Sequence, residues 1–477
     1  MKSYLSLLRK AALISILSAL SVSYAAEKAA PIPAPIKKAM TKYKVPTADF
    51  SMAVIPLSAK EKPVFINASA PRMPASVEKI VTSAAALELL GPAKVWHTRM
   101  VSQTEPNSAG VLKDDIYLIG SGNPELSLSD FRDMIEGLRS RGIQSIEGNI
   151  IVDRSRFDIP PHDPFAFDGE GNRPYNTGAD AMLVNSRALF MQIRPDRKEG
   201  VAYLYSVPHL NGLALPKTIP LSKEACGAWR KQIKPDFSTP LAPKFLGSFP
   251  ASCGNKDFFY TSLGADEYLT LLFSEFWKKA GGSWKGKLVS GKAPSSLKDM
   301  NILSSTSSEP LAKIIYDMNK HSLNPAARQL FLELGKTEAG EPKTLAQSRK
   351  TIKAWALENK LPADELSLDN GSGLSRKSRI SAGALASVLA HMWNTPRMPE
   401  YMSSMPISGV DGTMRKRHAA DGYAHIKTGY ISGARSVAGY VQAKDGKRYA
   451  VAAIVNGPSA LGSVPVLDAV ISWVHSR

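Results

Sequence analysis

The sequence of 477 residues predicts an α+β fold in which one antiparallel sheet, flanked by helices, is interrupted by a mainly β insertion. Three observations lead there. Residues 50–56 (FSMAVIP) and 64–67 (VFIN) read as a strand pair across a charged turn. Residues 425–430, 437–443 and 449–455 read as three further strands, the last two joined by an Asp445-Gly446 turn. Between these two groups, helical periodicity alternates with a long stretch that lacks it.

From Ser76, the string SVEKIVTSAAALELLG places Val77, Ile80, Val81, Ala84, Leu87 and Leu90 at helical intervals, with Pro74 ahead and Gly91-Pro92 as the stop. It is apolar nearly all round, so this helix is expected to be central and buried. Across 101–284, short apolar runs separated by turn clusters (DDIYLIGSGNPELS, VAYLYSVPHL) have the texture of a separate β module of one or two subdomains. Helical patterns return at 311–334, 344–358 and 381–392, and a last helix is expected at 466–474. The main domain is thus divided, residues 26–100 and 285–477, around an insertion at 101–284.

Composition limits what such a protein can be. An apolar content of 44% and a charged content of 21% exclude disorder, collagen and coiled coil. Lys2, Arg9 and Lys10 precede an apolar run at 11–20 and the small-x-small string Ser23-Tyr24-Ala25, so residues 1–25 are expected to be a cleaved signal peptide. The run is too short and too rich in serine for a spanning helix, which leaves at most a peripheral membrane association. The net charge of +18 does not imply nucleic acid, because the basic residues are dispersed and no nucleic-acid motif is present. In an oxidising compartment Cys226 and Cys253 are expected to pair; two separate buried thiols are the alternative, and the spacing offers no metal site.

The sequence holds no HExxH, GxSxG, P-loop or GxGxxG, and its eight histidines are scattered, so neither a metal nor a cofactor is expected. Ser76 and Lys79, three apart at the start of the buried helix, share one face, where the amine can accept the hydroxyl proton. Taken singly this is weak, since a second SxxK runs from Ser295 to Lys298. Ser322-Leu323-Asn324 beside a helix and Lys427-Thr428-Gly429 in a strand change the weight; Ser121-Gly122-Asn123 competes as an SxN string but lies in the insertion. A second lysine near Lys79, together with burial, would favour its neutral form. A lysine must drop by about three pKa units to act as a base near neutrality, a cost of roughly 4 kcal/mol.

The ordered set SxxK, SxN and KTG is that of penicillin-binding proteins and serine β-lactamases, and the chain resembles that superfamily. The long gap between residues 76 and 322 has no room in a β-lactamase. It makes the chain similar to the DacB-type class C low-molecular-weight penicillin-binding proteins, periplasmic D-alanyl-D-alanine carboxypeptidases and endopeptidases that carry insertions there. YLIGSGNPELS, LDNGSGLSRKSRIS, PISGVDGTMRKR and SGARSVAGY add to the likeness. The resemblance implies a transpeptidase-like main domain, peptidoglycan stem peptides as substrate, and β-lactams as acylating ligands.

It also implies that Ser76 is the nucleophile and Lys79 its base, with Ser322, Asn324 and Lys427 completing the proton network. Thr428 would bind the terminal carboxylate, Gly429 would let substrate lie along the strand, and the backbone N–H groups of Ser76 and Tyr430 would form the oxyanion hole. Arg376 is expected either to contact substrate or to form an ordinary surface salt bridge. Where relatives often have Asp within the second motif, Leu323 stands here. Their insertions can carry an acidic residue that reads the peptide's side-chain amine, for which Asp153, Asp163 and Asp168 are candidates. A β-lactamase with fast deacylation and an idle wall-binding scaffold are the alternatives.

Overall fold

The computed structural model describes residues 31–57, 61–296, 299–338 and 340–477, so the expected signal peptide lies outside the described residues, as does Lys298 of the second SxxK string. The front strands β1 (Phe50–Pro56) and β2 (Val64–Ile66) join the back strands β3 (Ala424–Ile431), β4 (Ala434–Gln442) and β5 (Arg448–Asn456) in a single antiparallel sheet. Its order is β2-β1-β5-β4-β3, so chain ends hundreds of residues apart in sequence become neighbours.

The sheet is covered on both faces, which is why its central strands read as unbroken apolar runs rather than alternating ones. Val451, Ala453 and Val455 of β5 point to one core with helices α1 (Ala34–Lys42) and α6 (Val464–His475). Ala450, Ala452 and Ile454 point to the other. That second core contains α2 (Glu78–Leu89), α3 (Leu311–His321), α4 (Asn324–Glu333) and α5 (Ala382–Trp393). Val77, Ile80, Val81 and Leu87 are fully buried there. Each contributes roughly 1.5–3 kcal/mol of apolar burial, which fixes α2 at the centre of the domain.

The intervening chain forms two five-stranded sheets. One runs Leu288–Ser290, Ile150–Asp153, Ile116–Ile119, His97–Ser102, Asn301–Ser307; the other runs Phe249–Pro250, Thr218–Ser222, Val201–Val207, Leu189–Asp196, Lys256–Tyr260. Cys226 and Cys253 are bonded beside the second sheet. The first sheet draws in strands on both sides of the residues 101–284 and is packed by helices Leu128–Ser140 and Ala265–Lys279. These helices go beyond the strand reading of the sequence. A Ser127–Asp130 capping box starts the first, and acidic residues in the opening turn with lysines in the last suit the second to its dipole.

Candidate active site

Four separate segments converge between the sheet edge and the helical layer. Ser76 sits in a 3-10 turn (Ala75–Val77) that leads into α2, so the regular α-helix starts two residues later than the sequence pattern suggested. Pro74 and the left-handed Ala75 (φ 50°) make the chain turn sharply here, leaving Ser76 partly accessible while Lys79, one turn on, is fully buried. The Lys79 Nζ lies 3.0 Å from Ser76 Oγ, 2.7 Å from Asn324 Oδ1 and 2.6 Å from the Ser372 carbonyl.

That arrangement has a stoichiometric consequence. The two carbonyl-type oxygens accept and cannot donate, so they take two N–H bonds. A neutral amine then has its lone pair left for the Ser76 hydroxyl proton. Burial first, and then the charge of Lys427, push the Lys79 ammonium well below the ordinary lysine range. Glu78 opposes this shift, but burial also raises its own carboxyl to about 7.

Lys427, on β3, is fully buried and its Nζ donates to Ser322 Oγ and to the Thr428 carbonyl, both at 2.9 Å. Burial lowers it to about 7. Ser322 ends α3 in the left-handed conformation (φ 59°), which costs on the order of 1 kcal/mol for a residue with a Cβ. That break lets α4 begin at Asn324 with Pro325 behind it, aiming the Asn324 side chain at Lys79.

Gly429 fills its position for a packing reason. A Cβ there would stand 2.1 Å from Ser436 Oγ, 2.7 Å from the Pro74 carbonyl and 3.1 Å from the Ala75 Cβ. The room is taken by protein, and the glycine brings β3 directly against the turn that carries Ser76. β3 is an edge strand of the sheet. Ile426 N–H points off that edge to the Pro406 carbonyl, so strand alternation turns the N–H of Tyr430 to the same open side. Tyr430 as a residue is 67% exposed, with the Arg435 guanidinium 3.4 Å from its ring centroid.

Several participants carried no recognisable signal of their own. Glu78 Oε1 accepts from the Gly371 N–H at 2.8 Å, and Thr82 donates to the Gly371 carbonyl at 2.8 Å. The NGSGLSR loop is thereby tied to α2, and its Ser372 carbonyl is delivered to Lys79. Thr413, within PISGVDGTMRKR, pairs with Thr428 through their hydroxyls at 2.8 Å. The insertion also reaches the site. Asn324 Nδ2 donates to the Tyr175 carbonyl at 3.2 Å, Arg328 to the Thr177 carbonyl, and Gln329 to the Asp180 carbonyl at 2.7 Å.

Arg376 donates to the Ser432 carbonyl and lies over the ring of Phe167, 4.7 Å from its centroid. Of the acidic candidates, Asp153 is buried and accepts from Ser155 and Ala293 N–H groups, and Asp163 accepts from Phe165 N–H. Asp168, beside Phe167, is exposed and accepts from the Tyr175 hydroxyl and Asn176. Ser121 and Asn123 are buried in the insertion, where Ser121 meets Thr98 at 2.8 Å and Asn123 braces Glu125 N–H at 3.0 Å.

The chain is similar to known proteins along most of its length. A D-alanyl-D-alanine carboxypeptidase of Actinomadura sp. (strain R39) is 26% identical over 430 residues, spanning 83% of this chain and 76% of the relative. The D-alanyl-D-alanine carboxypeptidase DacB of Haemophilus influenzae is 20% identical over 409 residues, 82% of each. The crystal structure of penicillin binding protein 4 (dacB) from Haemophilus influenzae superimposes with a TM-score of 0.76 at 19% identity, covering 93% of this chain and 99% of the other, and so shares the fold. The D-Ala-D-Ala carboxypeptidase 3 (S13) family matches residues 33–475. With nearly all of the described chain inside that match, the protein belongs to the D-Ala-D-Ala carboxypeptidase 3 (S13) family of peptidases.

Proposed function

We propose that the protein is a serine-type D-alanyl-D-alanine carboxypeptidase, and also a D-alanyl endopeptidase, that acts on peptidoglycan stem peptides through an acyl-enzyme on Ser76. The observation that carries this reading is the Lys79 amine, 3.0 Å from Ser76 Oγ with its other two bonding directions committed to acceptors. The substrate extends along the open edge of β3 as an added strand. Ser76 attacks the penultimate D-alanine carbonyl and Lys79 takes its proton. The oxyanion is met by the N–H groups of Ser76 and Tyr430.

Ser322, held by Lys427 at 2.9 Å, passes a proton to the departing amine, and D-alanine leaves. Water then hydrolyses the ester. Applied to a D-alanyl cross-link, the same two steps open it. Arg376 stacks on Phe167 of the insertion, and Asp168, next to Phe167 in the chain and exposed, is our candidate for reading a side-chain amine of the stem peptide. A β-lactam, which imitates the terminal dipeptide, acylates Ser76. With residues 1–25 read as a signal peptide, the enzyme works in the periplasm, where the Cys226–Cys253 bond is stable. The strand pairing of residues 97–102 and 301–307 supports drawing the insertion from about residue 97 to about 307.

Release of D-alanine from a purified pentapeptide and from a cross-linked dimer tests the two activities. Labelled penicillin is expected to attach covalently to the wild type and not to Ser76→Ala. Labelling of Ser76→Ala at the wild-type level would overturn the assignment.

A further inference from the structure

Helix α4 meets the insertion with polar side chains along its length. Asn324 Nδ2 donates to the Tyr175 carbonyl at 3.2 Å, Arg328 Nη1 donates to the Thr177 carbonyl, and Arg156 of the insertion grips Glu333 through bonds of 2.5 and 2.6 Å. Asn324 and Arg328 are four apart, so they lie one above the other on one helix face. Their two acceptors are also close in the chain, in and just beyond the 3-10 turn Pro174–Asn176.

The first of these contacts decides which way the Asn324 amide points. Its Oδ1 accepts from Lys79 Nζ at 2.7 Å, and the residue is only 6% exposed, which leaves little water to compensate a wrong orientation. A carboxamide has one accepting end and one donating end. Flipped, it would set two oxygens against each other at Tyr175 and donate an N–H into the Lys79 lone pair, the one that must take the Ser76 proton. The Tyr175 carbonyl therefore keeps the base open as well as keeping the amide in place.

A backbone carbonyl can act as such a lock only if its turn is held. Thr177 is tied within the insertion, its Oγ1 donating to the Ser186 carbonyl at 3.2 Å, and Arg328 ties it across to α4. The Arg328 side chain is 7% exposed, and burial pushes its guanidinium down to about 10. Asp369 favours its charge but is itself paired with Arg349 at 2.9 Å, so Arg328 donates to a carbonyl instead of a carboxylate. A buried cation without a counter-ion is a burden on stability. What this one holds is the carbonyl two residues beyond Tyr175.

We propose that Arg328 is a positioning residue for the acylation step: it pins residues 175–177 of the insertion to α4, so that the Tyr175 carbonyl keeps the Asn324 amide oriented toward Lys79; this rests on the peptidase reading above. The insertion is thereby a working part of the proton network. After burial and Lys427, the charge of Arg328 also adds to what keeps Lys79 neutral.

The test measures acylation by a labelled penicillin, followed long enough to read slow variants, and kcat and KM for release of D-alanine from a pentapeptide. It compares wild type, Arg328→Met, Arg328→Lys, Asn324→Ala and the double variant Arg328→Met with Asn324→Ala, each checked by a thermal melt. Arg328→Met should lose about 10-fold to 100-fold in acylation rate and in kcat, with KM little changed. Arg328→Lys, which keeps a cationic donor, should return to within about threefold of wild type. In the Asn324→Ala background, Arg328→Met should lose less than about threefold further, because the amide it orients is gone. If Arg328→Met does not fold, Arg328→Gln carries the same cycle. Wild-type rates in folded Arg328→Met, a loss confined to KM, no recovery in Arg328→Lys, or a loss that multiplies undiminished with that of Asn324→Ala would each overturn the inference while leaving the peptidase reading intact. Wild-type protein that neither released D-alanine nor became acylated would overturn that reading, and this inference with it.

Discussion

Replacing Gly429 by alanine asks whether the close seating of β3 on the nucleophile turn governs reactivity. Ordinary contact begins near 3.4 Å, yet the added Cβ would meet the Pro74 carbonyl at 2.7 Å and Ser436 Oγ at 2.1 Å. Ser436 cannot simply swing away, because its hydroxyl donates to that same Pro74 carbonyl at 2.5 Å. The strand and the turn must part by roughly 0.5–1 Å, and a misplacement of about 1 Å at a reacting centre costs on the order of 100-fold in rate. Overpacking of this kind lowers stability by about 1–3 kcal/mol, so the variant should stay folded in a protein of this size. The second-order rate of acylation by a fluorescent penicillin, read beside a thermal melt, measures both effects. A folded Gly429→Ala protein acylated within about threefold of the wild-type rate would refute the idea that this contact sets the geometry.

The two lysines predict a bell-shaped pH dependence of acylation. The acidic limb follows Lys79, which must be neutral to take the proton. The alkaline limb follows Lys427, lowered to about 7, which must be charged to support Ser322. Because Glu78 raises Lys79, Glu78→Gln should move the acidic limb to lower pH while the amide still accepts from Gly371, and an unmoved limb would contradict that coupling.

Glu125, in the insertion, is pushed up to about 8 by burial first and then by Asp317. In the unfolded chain it ionises near 4.5, whereas the fold keeps it protonated to about 8, so the wild type loses stability as pH rises between those values. Glu125→Gln should therefore match wild type near pH 4 and exceed it by on the order of 2 kcal/mol above pH 8, a gap that melts across pH will show or deny.

Much of this enzyme was legible in its sequence because the signals were local. The α2 helix announced itself by apolar spacing, the outer strands by runs of β-branched and small residues, and the Ser76, Ser322 and Lys427 strings by residue types whose chemistry is interpretable in isolation. The front and back strands could even be assigned to one sheet, because a hairpin with two apolar faces needs partners and covering helices to bury both. The helices at Leu128–Ser140 and Ala265–Lys279 were harder to see. Their capping signals lie in a stretch dominated by short strands and turns, where apolar spacing favoured the shorter period.

What only the tertiary structure decided are the partnerships made across hundreds of residues. Nothing local marks Glu78 as the clamp on the Gly371 N–H, the Ser372 carbonyl as an acceptor for Lys79, or Thr413 as the neighbour of Thr428. The depressed state of both lysines likewise arises from burial, joined at Lys79 by the charge of Lys427, and these exist only once α2, α4 and β3 are packed. The sequence determined which chemical groups are present and the elements that carry them. Distance, desolvation and the count of available donors, which turn an ordinary lysine into a base, are properties of the assembled fold.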